Sequence, residues 1–66
     1  MNEMVKNNVH QIRSKKNITQ EQLATSVGVT RQTIIAIEKG NYTPSVALAL
    51  KIAKFFDTTV EDVFHF

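Results

Sequence analysis

Thr19-Gln20-Glu21-Gln22-Leu23-Ala24-Thr25-Ser26-Val27-Gly28-Val29-Thr30-Arg31-Gln32-Thr33-Ile34-Ile35-Ala36-Ile37-Glu38-Lys39-Gly40 is the stretch on which the reading of this chain turns. Thr19 followed three residues later by Gln22 is a capping box, in which each side chain satisfies a backbone donor of the other, so a helix begins there. Leu23, Ala24 and Val27 give that helix an apolar stripe, and Gly28 ends it. Only Gly28 and Val29 precede the next capping residue, Thr30, which opens a helix running to about Lys39. Gly40 there takes the left-handed position that glycine tolerates best.

Two helices joined by a turn of about three residues with a glycine in it describe a helix-turn-helix, in which the first helix braces the DNA backbone and the second enters the major groove. The packing residues agree. Ala24 is small where crossing helices must approach, and Val29, Ile34 and Ile37 supply the apolar side that docks the second helix. The competing reading of the same spacing is an ordinary helical hairpin.

Outward from this core, Val5, Val9 and Ile12 recur at helical spacing and predict a first helix from Val5 to Lys16, stopped at Asn17. After the third helix, Asn41-Tyr42-Thr43-Pro44 reads as a loop. Ser45 caps a fourth helix of roughly Val46 to Phe56, apolar nearly all round and so expected as the central helix of the core. Asp57 and Thr58 make a turn, and Thr59 with Asp62 caps a short fifth helix bearing Val60, Val63 and Phe64. The expectation is one all-α, five-helix domain over 1–66, with a small terminal β pairing left open.

Composition fits this and excludes much else. The chain has 66 residues, 42% of them apolar, with two Gly, one Pro and no Cys. One packed core stabilised without disulfides or thiolate metal sites is all such a chain builds. No apolar run reaches membrane-spanning length and the first ten residues lack a secretory pattern, so a cytoplasmic, unexported protein is expected. The net charge of +2 is modest but unevenly spread. Between Arg13 and Lys54 seven bases stand against Glu21 and Glu38, whereas Phe55 to Phe66 holds Asp57, Glu61 and Asp62 and no Lys or Arg. One end suits phosphate and the other avoids it.

Helical spacing places Arg31, Gln32, Ile35, Ala36 and Lys39 away from Ile34 and Ile37. Arg matches guanine, Gln matches adenine, and small or apolar groups touch the thymine methyl. Arg31 and Gln32 are therefore the expected base readers. Ile35 and Ala36 either join them or flank the core. Gln20, Thr30, Thr33, Lys39 and the loop residues Asn41, Tyr42 and Thr43 surround the reader helix and are the candidate phosphate contacts; Lys15, Lys16 and Lys39 add salt-sensitive attraction, with a plain hydrated surface an equal alternative for each. Arg13 lies four residues after Val9, and Glu38 four after Ile34. Each charge thus sits on or beside an apolar stripe, where an unpaired charge is costly, and the two are expected to pair.

At these residues the chain resembles the Cro and phage-repressor class of helix-turn-helix proteins, also called the xenobiotic-response-element family. The resemblance rests on Arg13, Thr19–Ala24, Gly28–Ile34, Ile37–Gly40, Pro44-Ser45 and Leu50–Ala53, and so covers nearly the whole chain. It implies a five-helix domain with its reader helix third, an Arg13–Glu38 pair, and phosphate contacts near Gln20 and the loop after Gly40. Within that class the chain looks most like very short regulators that bind operators as dimers through their chain ends. Val60, Val63, Phe64 and Phe66 are then the candidate dimer surface, the alternative being that they only close the monomer core. Ala36 departs from the longer polar residue frequent in phage repressors, so their operator sequences do not transfer.

The expected function is sequence-specific binding of a double-stranded, palindromic operator by a homodimer, as a repressor. No catalytic residue, cofactor, metal, membrane or small-molecule substrate is expected, because His10 and His65 lack ligand-spaced partners and no phosphate-binding glycine loop is present. The other class considered is a protein-interaction module, for which Phe64 and Phe66 would be the contact.

Overall fold

The computed structural model describes residues 4–66. Five helices carry nearly all the regular structure: α1 (Val9–Lys15), α2 (Gln20–Val27), α3 (Arg31–Glu38), α4 (Val46–Phe55) and α5 (Val60–Val63). Two short strands, β1 (Lys6–Asn7) before α1 and β2 (Phe64–His65) after α5, pair antiparallel with Lys6 opposite His65 and Asn7 opposite Phe64. This pairing ties the two ends of the chain together at one edge of the helical body.

The caps anticipated from sequence form. The Thr19 hydroxyl accepts from the Gln22 amide at 3.0 Å while the Thr19 amide donates to Gln22 Oε1 at 2.8 Å, a complete capping box. Thr30, Ser45 and Thr59 each accept from the amide three residues on. Four helices end alike, with a left-handed residue next to the last turn: Asn17 (φ 56°), Gly28 (φ 77°), Gly40 (φ 78°) and Asp57 (φ 58°). At each, the following amide reaches back to a carbonyl five residues earlier: Ile18 to Arg13, Val29 to Ala24, Asn41 to Ala36 and Thr58 to Ala53, all at 2.9 or 3.0 Å. This is the Schellman closure, which satisfies carbonyls the helix would otherwise leave open.

The first helix is shorter than its periodicity suggests. It starts at Val9 and not at Val5, because two asparagines take the backbone elsewhere. Asn7 Oδ1 accepts the Val9 amide at 3.1 Å, and the Asn8 amide donates to the Val63 carbonyl at 2.8 Å, so Lys6 and Asn7 become strand. Short amide side chains compete with the helix for backbone partners, and here they prevail.

Val9, Leu23, Ile34, Ile37, Ile52 and Val63 are wholly enclosed, with Phe56 1% exposed, and Ala24, Val27, Leu48 and Ala53 complete the core. Helices α2 and α3 pack on each other, α4 covers α2, and α5 closes against α4. The expectation that α4 is buried all round is corrected: Leu48, Ala49, Ile52, Ala53 and Phe56 face inward, while Val46 (77% exposed), Leu50 (55%) and Phe55 lie in solvent. With so few elements to surround it, a helix on the outside of a small domain has only one side to bury.

Candidate nucleic-acid interface

Helix α3 is held from below. Ile34 and Ile37 are fully buried and Val29 packs against the same core, so the opposite side is turned outward. On that side Arg31 and Gln32 are exposed in the first turn and Ile35 and Ala36 are half-buried in the second. The Thr30 hydroxyl accepts the Thr33 amide at 3.4 Å and stands 3.3 Å from the Thr33 hydroxyl. Lys39 is exposed at the end of α3, and Asn41, Tyr42 and Thr43 are exposed on the loop that follows. Gln32, Thr33, Ala36 and Tyr42 line a shallow recess, which brings the loop tyrosine beside α3.

Arg13 and Glu38 meet beneath this face. Arg13 Nε donates to Glu38 Oε2 at 2.8 Å and Nη2 donates to Oε1 at 3.1 Å, a two-pronged pair joining α1 to α3 with both side chains about nine-tenths enclosed. A third Arg13 nitrogen, Nη1, donates to the Ile18 carbonyl at 3.0 Å and so locks the turn between α1 and α2. Burial alone pushes the Glu38 carboxyl's pKa up. Hydrogen bonds from Arg13 and Gln20, with the positive charge of Arg13, outweigh it and hold the carboxyl below the ordinary glutamate value. The Glu38 hydrogen bond in turn raises the affinity of Arg13 for its proton.

Gln20 occupies a position the sequence did not foretell. Its Nε2 donates to Glu38 Oε1 at 3.2 Å, and its Oε1 accepts from Arg31 Nε at 3.3 Å. A chain of polar contacts therefore runs from α1 through Glu38 and the start of α2 to the exposed arginine of α3. His10 joins at the other end: Arg13 Nη2 donates to His10 Nδ1 at 3.0 Å, and that nitrogen lies 3.6 Å from Glu38 Oε1. The available signal for His10 was its place three residues before Arg13 on one helix face. Asn7 is a further addition, its Nδ2 donating to the Ile37 carbonyl at 2.9 Å and so capping the end of α3 from β1. Nothing in its sequence neighbourhood marks that contact, which spans thirty residues.

Of the four residues expected at a dimer surface, Val63 is wholly buried within the one chain and offers no surface, which corrects that expectation for this residue. Val60 and Phe64 are half-buried against the core, and Phe66 is 75% exposed. Met4, just before β1, is 68% exposed, and Phe66 directly follows β2. An apolar end is therefore left at the sheet. Among the described residues no helix is long and apolar enough to cross a membrane.

A family model for the helix-turn-helix matches residues 9–63. An uncharacterised HTH-type transcriptional regulator of Methanocaldococcus jannaschii is 58% identical over 60 residues, which span 91% of each protein. Another, from Bacillus subtilis, is 55% identical with the same coverage. Among solved structures, a restriction-modification controller protein from Aeromonas hydrophila superposes with a TM-score of 0.78 at 27% identity, over 83% of each chain. The chain belongs to the Cro and phage-repressor class of the helix-turn-helix family and is a DNA-binding transcriptional regulator.

Proposed function

We propose that the protein is a repressor that binds a palindromic operator as a homodimer, with all of residues 1–66 forming one DNA-binding domain. The observation that carries this reading is the two-sidedness of α3: Ile34 and Ile37 are spent entirely on the core while Arg31 and Gln32 are exposed in its first turn. Arg31 and Gln32 read base edges there, and Ile35 and Ala36, presenting only part of their surface, make apolar contact with pyrimidine methyl groups. Thr30, Thr33, Lys39, Asn41, Tyr42 and Thr43 ring the reader and contact phosphate and sugar, with Gln20 at its flank.

A single reader helix of this length covers a small interface, so two copies are needed for useful specificity, with half-sites about 34–36 Å apart. The exposed apolar side chains Phe66 and Met4 beside the two strands, together with the half-buried Val60 and Phe64, support the self-association. A domain whose longest extent is 35 Å covers about one turn of DNA and blocks other proteins from it, which favours repression, in the cytoplasm where the operator lies.

Selection from a random duplex library, followed by anisotropy titration and sedimentation of the complex, tests this. The expected result is an inverted repeat bound by two chains, with Arg31→Ala and Gln32→Ala each weakening binding by about 1–3 kcal/mol at one base position, and Lys39→Ala lowering the salt slope by about one. Featureless enrichment with one chain per site refutes the operator and the dimer together. A reporter that rises when the protein is added would reverse the assigned sign of regulation.

A further inference from the structure

His10 stands at the α1 end of the Arg13–Glu38 pair, with its side chain 65% exposed. Arginine nitrogens only donate, so the 3.0 Å contact with Arg13 Nη2 makes His10 Nδ1 the acceptor and leaves the neutral ring's proton on Nε2. A second proton therefore enters at Nδ1. There it meets Glu38 Oε1 at 3.6 Å, the acceptor that a charged ring needs in place of Arg13. Arg13 keeps its hold through that exchange, because Nε and Nη2 already donate to Glu38 and Nη1 to the Ile18 carbonyl. Each form of the ring thus has its partner beside Nδ1, and Nε2 carries a proton in both.

His10 also borders two open grooves on this flank. One it shares with Asn17, Gln20 and Arg31, the other with Gln20, Glu38 and Lys39. Gln20 is a candidate phosphate contact and Arg31 a candidate base reader, so a DNA backbone running past them passes the exposed ring.

We infer that His10 is a proton-linked phosphate contact: DNA binding draws one proton from water onto the ring, whose Nε2–H holds a backbone phosphate while Nδ1–H turns to Glu38. This rests on the DNA-facing role proposed for α3. Arg13 from α1, Glu21 from α2, and Arg31, Glu38 and Lys39 from α3 are the charged groups that border the ring, and a phosphate adds a negative charge to that set. An imidazole changes charge between about pH 5 and 8, so the device works near neutrality. The bound state holds the extra proton, so affinity rises as pH falls through that range. A phosphate contact carries no base information, so the gain applies to all sequences alike and operator occupancy responds to pH without a change in base preference.

Anisotropy titrations of the full chain on its selected duplex, at several salt concentrations, test this. Wild type is expected to bind about three- to tenfold more tightly at about pH 6 than at about pH 8, with a salt slope steeper by up to about one at the lower pH. His10→Gln keeps an acceptor for Arg13 Nη2 and does not titrate, so it should bind at both pH values as wild type does at the higher one. His10→Lys, permanently charged, should restore the tighter binding and the steeper slope at both. His65→Gln should leave the wild-type pH dependence in place. In nuclear magnetic resonance, the His10 ring signals should titrate at a higher pH in the complex than in the free chain. Arg31→Ala and Gln32→Ala weakening binding as expected, with the same pH dependence in His10→Gln as in wild type or with none in wild type, overturns this inference alone. Undiminished binding in Arg31→Ala and Gln32→Ala means that DNA meets another face, and overturns the reading of α3 and the inference together.

Discussion

Glu38 shows how much one carboxylate can hold together. Its two oxygens receive Arg13 from α1 and Gln20 from α2 while it rides on α3, so the relative placement of three helices depends on its charge. Removing one partner of such an enclosed pair costs far more than the pair contributes net, because the other charge is left without its bonds. Arg13→Met should therefore lower stability by about 3 kcal/mol in denaturant unfolding at neutral pH. Acid should act through the same group. The folded-state pKa of Glu38 lies below the unfolded value of 4.5, so its contribution is complete above that value and disappears as pH falls through the lower, folded one. The stability gap between wild type and Glu38→Gln should accordingly be widest near neutrality and close below pH 4.5. Asp62, whose carboxyl is held low by the Thr58 hydroxyl, loses stability in the same direction but is common to both proteins and cancels in the comparison. A gap that stays constant down to pH 3 would show that the charge of Glu38 contributes nothing. The meeting of Arg13 with Glu38 was legible because both charges sit on apolar stripes. Gln20 was not, since a polar residue in a first helical turn has no stripe to betray its partner.

The helix ends were the most readable parts of the chain, because capping is a matter between neighbours in sequence. Threonine or serine before an apolar run, and glycine after it, state their geometry without help from the rest of the molecule. Gly28 is the decisive case. It closes α2 at a φ of 77°, and a methyl group added there would meet no other atom within 4 Å. The whole penalty of Gly28→Ala is thus backbone strain, about 1–2 kcal/mol in thermal or chemical unfolding, with the helical content of the folded state unchanged. A loss well above this would mean that the turn itself is displaced. Asn17 and Asp57 perform the same closure at helices α1 and α4 with side chains that tolerate the left-handed region, which is why those helices stop cleanly without glycine. The beginning of α1 departs from its apolar periodicity for a related reason. Val5, Val9 and Ile12 keep helical spacing, but the local signal of periodicity lost to Asn7 and Asn8, whose partners Ile37, Asp62 and Val63 lie far along the chain.

At the scale of the molecule, the apolar residues of α4 divide into two groups that look alike in sequence. Ile52 is fully enclosed and Leu50 is more than half exposed, two positions apart on one helix. Ile52→Ala should cost about 2–5 kcal/mol, whereas Leu50→Ala, which opens no cavity, should stay within about 0.5 kcal/mol in the same unfolding assay. Comparable losses at both would mean that a second surface covers Leu50 under the conditions of the measurement. The sequence alone determined the number of helices, their caps, the turn that makes α2 and α3 a helix-turn-helix, and which side of α3 faces outward. All of these follow from contacts within a few residues, or from an apolar stripe that must point inward. Only the tertiary structure decided which side of α4 is wet, that Val63 closes the core and leaves Phe66 at the surface, that β1 and β2 join the chain ends, and that Gln20 stands between Glu38 and Arg31. Those outcomes depend on how helices cross, and a crossing angle belongs to the packing of two surfaces, which no single segment of sequence contains.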